Sequence, residues 1–155
     1  MPIPDLVDNV LPDGVHDCTP DEVAAAFGRF QRSDRRTRLT EQLLRYLAEA
    51  KRSGLVAAVV VDGSYVTAKD EPGDIDLIVV LAADHDYARE LRPFEYNVVT
   101  KAGIRRMKYP FDVLIQPDGS AALAADITFF QQVNPTKDAG LTARTRKGVL
   151  RVPLL

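Results

Sequence analysis

The spacing of apolar residues predicts two helices in the first third of the chain. Thr19, Pro20 and Glu22 form a helix start, because threonine caps the helix, proline suits its first turn and glutamate completes a capping box. We expect this helix to run to about Phe30. A second helix should begin near Asp34 and end at Ser53-Gly54, since its core-facing residues recur at helical spacing: Leu39, Leu43, Leu44 and Leu47.

Short continuous apolar runs predict strands, because they are bounded by turn residues and are too short for helices. The three clearest runs are residues 55–61, 75–81 and 111–115. Weaker patterns predict a helix over 82–92 capped by Asp84, a strand over 95–100, a final helix from about 118 to Val133, and a last edge strand over 147–152. The alternation of predicted helices and strands indicates an α/β (α+β) fold.

The length of 155 residues fits one domain over residues 19–155. Proline and glycine in the first 18 residues predict an extended arm that packs against it. A single cysteine excludes an internal disulfide, and no apolar run approaches the ~18 residues of a membrane span. With no signal-peptide pattern at the amino end, we expect a cytoplasmic protein without a membrane partner. The net charge of −2 argues against nucleic-acid binding through overall charge, although a local basic groove is compatible with it.

Candidate chemistry is concentrated between residues 59 and 81. Gly63-Ser64 ends the first predicted strand, and a glycine there allows backbone N–H groups to approach an anion. Asp74 and Asp76 open the next predicted strand. Their side chains should leave the same face, with Cα atoms roughly 6–7 Å apart.

Two carboxylates on one face of a strand repel each other, and a divalent cation relieves that repulsion. Mg²⁺ prefers hard oxygen ligands and is usually held by one or two carboxylates together with substrate phosphates. A phosphate-sized turn beside a carboxylate pair therefore indicates metal-assisted phosphoryl or nucleotidyl transfer.

The pattern Gly63-Ser64, nine residues, then Asp74-Ile-Asp76-Leu resembles the signature of the DNA polymerase β-like nucleotidyltransferase superfamily. The resemblance implies the nucleotidyltransferase (polymerase β-like) fold, a short mixed sheet packed with helices. It implies that Gly63 and Ser64 hold the nucleotide phosphates. It also implies that Asp74, Asp76 and a third carboxylate, Asp112, bind two Mg²⁺ ions and activate the attacking hydroxyl. The third carboxylate is either such a site residue or the exposed end of a strand.

Asp62 departs from this pattern, which usually has an apolar residue before the glycine. It is either an additional site carboxylate or a solvated strand end. Over its whole length the chain also resembles the small bacterial nucleotidyltransferase-like family catalogued as DUF6932. The segments that carry this second resemblance are residues 12–19, 63–69, 73–77, 129–130 and 147–152.

Basic residues outside this stretch have two interpretations each. Arg29, Arg32, Arg35, Arg36 and Arg38 could contact a nucleic acid, but a solvated charge run at a helix start is the simpler interpretation. The basic residues of 101–108 could hold phosphates or lie exposed in a hairpin. Three lysines could contact phosphates, namely Lys69, Lys137 and Lys147. His85 could be a ligand or base, although a surface histidine without a partner is simpler.

The sequence thus favours a metal-dependent nucleotidyltransferase that transfers NMP from an NTP such as ATP to a hydroxyl of RNA, protein or a small molecule. Kinship with minimal members of the superfamily implies a homo-oligomer or a partner protein that completes the site. It also suggests a toxin-antitoxin or defence setting. The alternative is a catalytically silent nucleotide- or partner-binding module that acts by contact, like an antitoxin. A third hypothesis is an RNA-binding protein whose two basic segments share one face.

Overall fold

A computed structural model describes residues 3–28, 34–136, 138 and 140–155 of the chain. These residues form five strands and five helices. In chain order the elements are β1 (Val15–Asp17), α1 (Pro20–Phe27), α2 (Arg35–Ser53), β2 (Val56–Asp62), β3 (Ile75–Leu81), α3 (Pro93–Val99), α4 (Lys101–Arg106), β4 (Phe111–Pro117), α5 (Ala121–Phe130) and β5 (Val149–Pro153). One 3-10 turn, Ser64–Val66, follows β2.

The five strands form one mixed sheet in the order β1-β5-β2-β3-β4. β1 and β5 are parallel, as are β3 and β4, whereas β2 is antiparallel to both of its neighbours. The prediction that the last strand lies at an edge is wrong. β5 lies inside the sheet because residues 15–17 of the amino-terminal arm form the edge strand beside it. Its fully buried residues, Val149, Leu150 and Val152, fit an interior position.

Helices cover both faces of the sheet. The four helices α1 to α4 pack on one face, where the larger apolar core includes Phe27, Leu43, Tyr46 and Ile104. Helix α5 packs on the other face through Leu123, against a smaller cluster that includes Val60 and Ile78. Because both faces are covered, β2 and β3 are buried along almost their whole length.

Both amino-terminal helices form where the sequence predicts them. Thr19 caps α1 in a complete capping box with Glu22, and α2 ends at Gly54, which adopts the left-handed conformation with φ 69°. α1 ends at Phe27, and the expected extension to Phe30 lies outside the described residues. The three apolar runs form β2, β3 and β4, which confirms the prediction that they are strands.

Residues 82–100 differ from their prediction. Residues 82–92 form turns instead of a helix, and α3 replaces the expected strand over 95–100. The reason is a helix cap formed by Arg92 and Glu95. The strand-favouring residues that follow it led to the prediction of a strand. Glu95 is fully buried, accepts a hydrogen bond from the Arg92 backbone N–H at 2.8 Å, and forms ion pairs with Arg89 and Arg92. This arrangement starts α3 at Pro93.

Two further boundaries differ. α5 begins after its Ser120 cap but ends at Phe130, three residues before the expected Val133. Residues 101–106 form α4 rather than an exposed hairpin. None of the helices among the described residues has the length and apolar character that crossing a bilayer requires.

Candidate functional site

Three aspartates from three adjacent strands lie in one row. In the sheet register Asp62 of β2 is opposite Asp76 of β3, and Asp76 is opposite Asp112 of β4. All three point to the face covered by α5. Each is two residues from a residue of the smaller core on that face, namely Val60, Ile78 or Leu114, and residues two apart on a strand point to the same side. Neighbouring strands are about 4.8 Å apart. We call Asp62, Asp76 and Asp112 the carboxylate row.

The carboxylate row forms the floor of a cleft of about 830 Å³. Asp74, immediately before β3, lines the same cleft, as do Gly63, Ser64 and Lys69. The six site residues that the sequence predicts therefore border one cavity. Gly73 before β3 and Leu114 on β4 also line it. The remaining wall comes from α5 and the segment after it: Phe129, Phe130, Gln132, Asn134, Asp138 and Lys147.

Exposure increases along the row from the sheet interior to its edge. Asp62 is 3% exposed, Asp76 is half-buried, and Asp112 is exposed on the edge strand β4. The two interpretations of Asp112 are thus compatible, since it lies at an exposed position and also lines the cleft. Asp112 is therefore the member of the row most accessible to solvent.

Asp62 is neither solvated nor isolated. Lys147 Nζ lies 3.2 Å from Asp62 Oδ1, as an ion pair rather than an aligned hydrogen bond, and both side chains are largely buried. Burial raises the pKa of the Asp62 carboxyl above its usual range, and the Lys147 charge opposes that shift. Lys147, one of the three lysines that could contact phosphates, is therefore ion-paired at the inner end of the row.

Gly63 lets the turn approach Asp76 closely. Its φ of 88° and ψ of −173° are a combination that only glycine adopts readily. A Cβ at this position would lie 2.9 Å from Asp76 Oδ2, closer than side chains tolerate. The 3-10 turn that follows is closed by a hydrogen bond from the Val66 N–H to the Gly63 carbonyl, 3.2 Å long. Glycine is thus needed at residue 63 for both its torsions and its size.

A buried arginine holds the loop from Ser64 to Lys69. Arg36 is 1% exposed, and its guanidinium donates to the backbone carbonyls of Tyr65 at 2.7 Å, Thr67 at 2.7 Å and Lys69 at 2.6 Å. It also donates to the carbonyl of Phe27 at 3.2 Å, which joins α1 to this loop. Burial lowers the pKa of Arg36 to about 10, so the side chain remains charged at neutral pH.

The interpretation of residues 29–38 as a solvated charge run is wrong for Arg36. Arg38 does form a surface ion pair with Asp34, while Arg35 donates to the carbonyls of Pro72 and Gly73. Arg29 and Arg32 lie outside the described residues. The sequence contained a signal that Arg36 is buried. Arg36 is three residues before Leu39 and seven before Leu43, which places it on the buried stripe of α2.

The amino-terminal arm connects two loops that border the cleft. Asn9 accepts a hydrogen bond from the Ala68 N–H at 3.0 Å and donates from Nδ2 to the Leu141 carbonyl at 2.8 Å. Asp8 Oδ2 accepts hydrogen bonds from Thr142 Oγ1 and the Ala143 N–H. Both Asp8 and Asn9 have positive φ, as a tight turn requires. Sequence reasoning missed this contact because it depends on residues about 135 positions apart.

The other predicted candidates lie away from the cleft. His85 packs edge-on against the Tyr87 ring, which fits a surface histidine. α4, which contains most of the basic residues of 101–108, packs through Ile104 on the sheet face opposite the carboxylate row. Lys137 lies outside the described residues.

The donor set fits a hard divalent cation in chemical type, because Asp74, Asp76 and Asp112 supply carboxylate oxygens around one cleft. The side chains are not yet gathered around a common point, since no three carboxylate, imidazole or thiol groups among the described residues form a preassembled metal site. Metal binding would therefore require side-chain rotation at the row.

Comparison with known proteins identifies one family. DUF6932, a family of unknown function, matches residues 4–153. No curated protein and no solved structure matches the chain.

Replacing Arg36 with lysine should destabilise the protein by about 2–4 kcal/mol, because one ammonium cannot satisfy the buried carbonyls that the guanidinium reaches. Urea unfolding of Arg36→Lys measures this loss. Arg38→Lys is the matched control on the same helix, and its effect should stay below about 0.5 kcal/mol since its ion pair is exposed. Equal effects of the two variants would contradict a structural role for Arg36.

The ion pair between Asp62 and Lys147 should give a strongly non-additive double-mutant cycle. Asp62→Asn leaves a buried ammonium uncompensated and should lower the free energy of unfolding by about 3 kcal/mol at pH 7. The double variant Asp62→Asn/Lys147→Met should lose at least about 1 kcal/mol less than the sum of the single variants. Additive losses in urea unfolding would show that the two groups do not interact.

The same pair predicts a pH dependence for Lys147→Met. Without the lysine, the already raised pKa of Asp62 should rise further, so the folded state holds a proton that the unfolded state releases near pH 4. Stability of the variant relative to the native protein should therefore fall as pH rises through the folded-state pKa. A constant difference across that range would contradict this sign.

Gly63→Ala should destabilise the protein by about 1–3 kcal/mol, since alanine strains the backbone at φ 88° and its Cβ displaces the Asp76 carboxylate. Gly73→Ala is the control, because Gly73 lines the same cleft and its added Cβ meets no described atom within 4 Å. Thermal or urea unfolding of the two variants compares them directly. A Gly63→Ala protein as stable as Gly73→Ala would refute the close-approach role.

Proposed function

Since this chain belongs to DUF6932, a family of unknown function, its function must be inferred from its site, and we propose a metal-dependent nucleotidyltransferase. The donor is an NTP and the acceptor is a hydroxyl group of RNA, a protein or a small molecule. The proposal includes the nucleotidyltransferase fold and a cytoplasmic setting, with a second copy or a partner protein contributing to the acceptor side, as in a toxin-antitoxin or defence system.

The observation that carries this proposal is the register of the carboxylate row beside the Gly63-Ser64 turn. Asp76 and Asp112 are opposite each other on parallel strands, and Asp76 Oδ2 lies against Gly63. The spacing along the sequence would be uninformative if these residues faced different sides of the sheet. In this chain they share one cleft with the predicted phosphate turn.

The positions of the residues support distinct roles. Gly63 and Ser64 bind the triphosphate, with Lys69 as a nearby cation. Asp112 is the most exposed member of the carboxylate row, so it accepts the proton of an incoming hydroxyl that approaches from the β4 side. The acceptor oxygen forms a bond to the α-phosphorus, the bond to the β-phosphate oxygen breaks, and pyrophosphate leaves.

Mg²⁺ fits the oxygen donors of Asp74, Asp76 and Asp112, which we propose as its ligands. When bound, Mg²⁺ neutralises phosphate charge and lowers the pKa of the acceptor hydroxyl. Asp62 contributes less to such a site, because its charge is already compensated by Lys147.

Asp76→Asn should abolish nucleotidyl transfer and weaken Mg²⁺-dependent NTP binding at least tenfold, because it removes a charged oxygen donor from the proposed metal ligands. Calorimetric titration of each NTP with Mg²⁺ or EDTA measures binding, and labelled NTP measures transfer to candidate acceptors. Asp84→Asn, an exposed carboxylate away from the cleft, is the control. Full activity of Asp76→Asn would refute the mechanism.

The same titrations distinguish the nucleotidyltransferase from the catalytically silent module. If native protein binds no NTP with or without Mg²⁺, the chain is better described as a catalytically silent module that acts by contact with a partner. If NTP binds but the label reaches no acceptor, the nucleotide-binding half of the proposal stands without the transfer.

A further inference from the structure

The cleft over the carboxylate row has one apolar wall. Phe129 and Phe130 at the end of α5 and Leu114 on β4 line it, on the same side of the sheet as the row. The rest of the lining is mostly polar or charged. The cavity is therefore amphipathic, with carboxylates and the Gly63-Ser64 turn in one part and aromatic carbon in another.

Phe129 is the residue of this wall that packing does not explain. Leu114 and Phe130 are partly buried against the smaller core, but Phe129 is 61% exposed. Its ring meets that of Phe130 edge-on with centroids 6.5 Å apart. A single exposed phenylalanine is common on protein surfaces. This ring, however, lines the same cleft as the carboxylate row.

A second residue of the lining, Gln132, carries a side-chain amide. Gln132 is exposed, lines the same cleft, and is three residues after Phe129. Its backbone is fixed by a bridge to Arg146, and the following Lys147 N–H donates to the Gln131 carbonyl at 2.8 Å. A carboxamide offers a donor and an acceptor side by side, the pattern that pairs with the edge of a nucleobase.

We propose that Phe129 and Gln132 form the nucleobase subsite of this protein, with Phe129 stacking on the base and the Gln132 amide contacting its edge. This inference rests on the proposed function, because it assigns the base of the same NTP. A nucleotide has an anionic half and a flat, weakly polar half. The cleft has a matching division, with the phosphates at Gly63-Ser64 and the base at the apolar wall.

The test compares NTPs with inorganic triphosphate, which has the same kind of anionic group but no base. ATP, CTP, GTP, UTP and inorganic triphosphate are each titrated with MgCl₂ into the full chain and its variants. Phe129→Ala removes the stacking surface, and Phe129→Tyr retains it. Tyr87→Ala is the matched control, since Tyr87 is 68% exposed and does not line the cleft.

Phe129→Ala should weaken binding of every NTP that the native protein binds by about tenfold or more, because stacking on an aromatic side chain stabilises a bound base. Affinity for inorganic triphosphate should be unchanged. Phe129→Tyr and Tyr87→Ala should remain within about twofold of the native protein. Gln132→Ala should change the relative affinities of the four NTPs, since an edge contact distinguishes bases and stacking does not.

The failures of the two proposals can be distinguished. If Phe129→Ala binds NTP as well as the native protein, or if native protein binds inorganic triphosphate as tightly as any NTP, the base subsite is wrong while the phosphate site stands. If native protein binds neither probe, the proposed function is wrong and the subsite with it. If Phe129→Ala turns a dimer into a monomer in light scattering, with NTP affinity unchanged, the ring is covered by a second copy instead.

Discussion

The buried guanidinium of Arg36 is the interaction on which the site depends most. It donates to carbonyls of the loop from Ser64 to Lys69 and to the end of α1, so one side chain satisfies backbone groups from two parts of the chain. Each buried carbonyl left without a donor costs about 1–3 kcal/mol. The loop therefore cannot open without losing several contacts together. Arg36 holds the turn that follows Gly63, and Gly63 itself lies against Asp76.

The second constraint is strand register. The carboxylate row exists only because β2, β3 and β4 pair with Asp62, Asp76 and Asp112 opposite one another. A slip of one residue would move a strand's carboxylate to the opposite face. The buried apolar residues that alternate with the aspartates oppose such a slip, because each of them would have to move from the core on one face of the sheet to the differently packed core on the other. The core thus determines the position of the chemistry.

The sequence predicted the elements whose signals are local. Thr19 and Glu22 cap α1 as expected, and the three apolar runs that contain or adjoin the aspartates are strands. It failed where distant residues decide the outcome. β5 is interior because the arm pairs beside it. The error at α3 was local, because the capping interaction of Glu95 with Arg92 starts a helix where β-type residues suggested a strand. At the site, the six predicted residues line one cleft, but the ion pair of Asp62 with Lys147 joins residues 85 positions apart, which no local pattern reveals.

The position of β5 has a consequence for the order in which the protein folds during synthesis. The strands that contain the carboxylate row leave the ribosome before Lys147 and β5, and their inner edge remains open until β5 inserts between β1 and β2. Asp62 lacks its ammonium partner during that interval. A nascent chain would therefore have its acidic residues in place but neither a closed sheet nor a neutralised inner carboxylate. Completion of the site is delayed until the two ends of the domain meet, a late and slow event for such a non-local pairing.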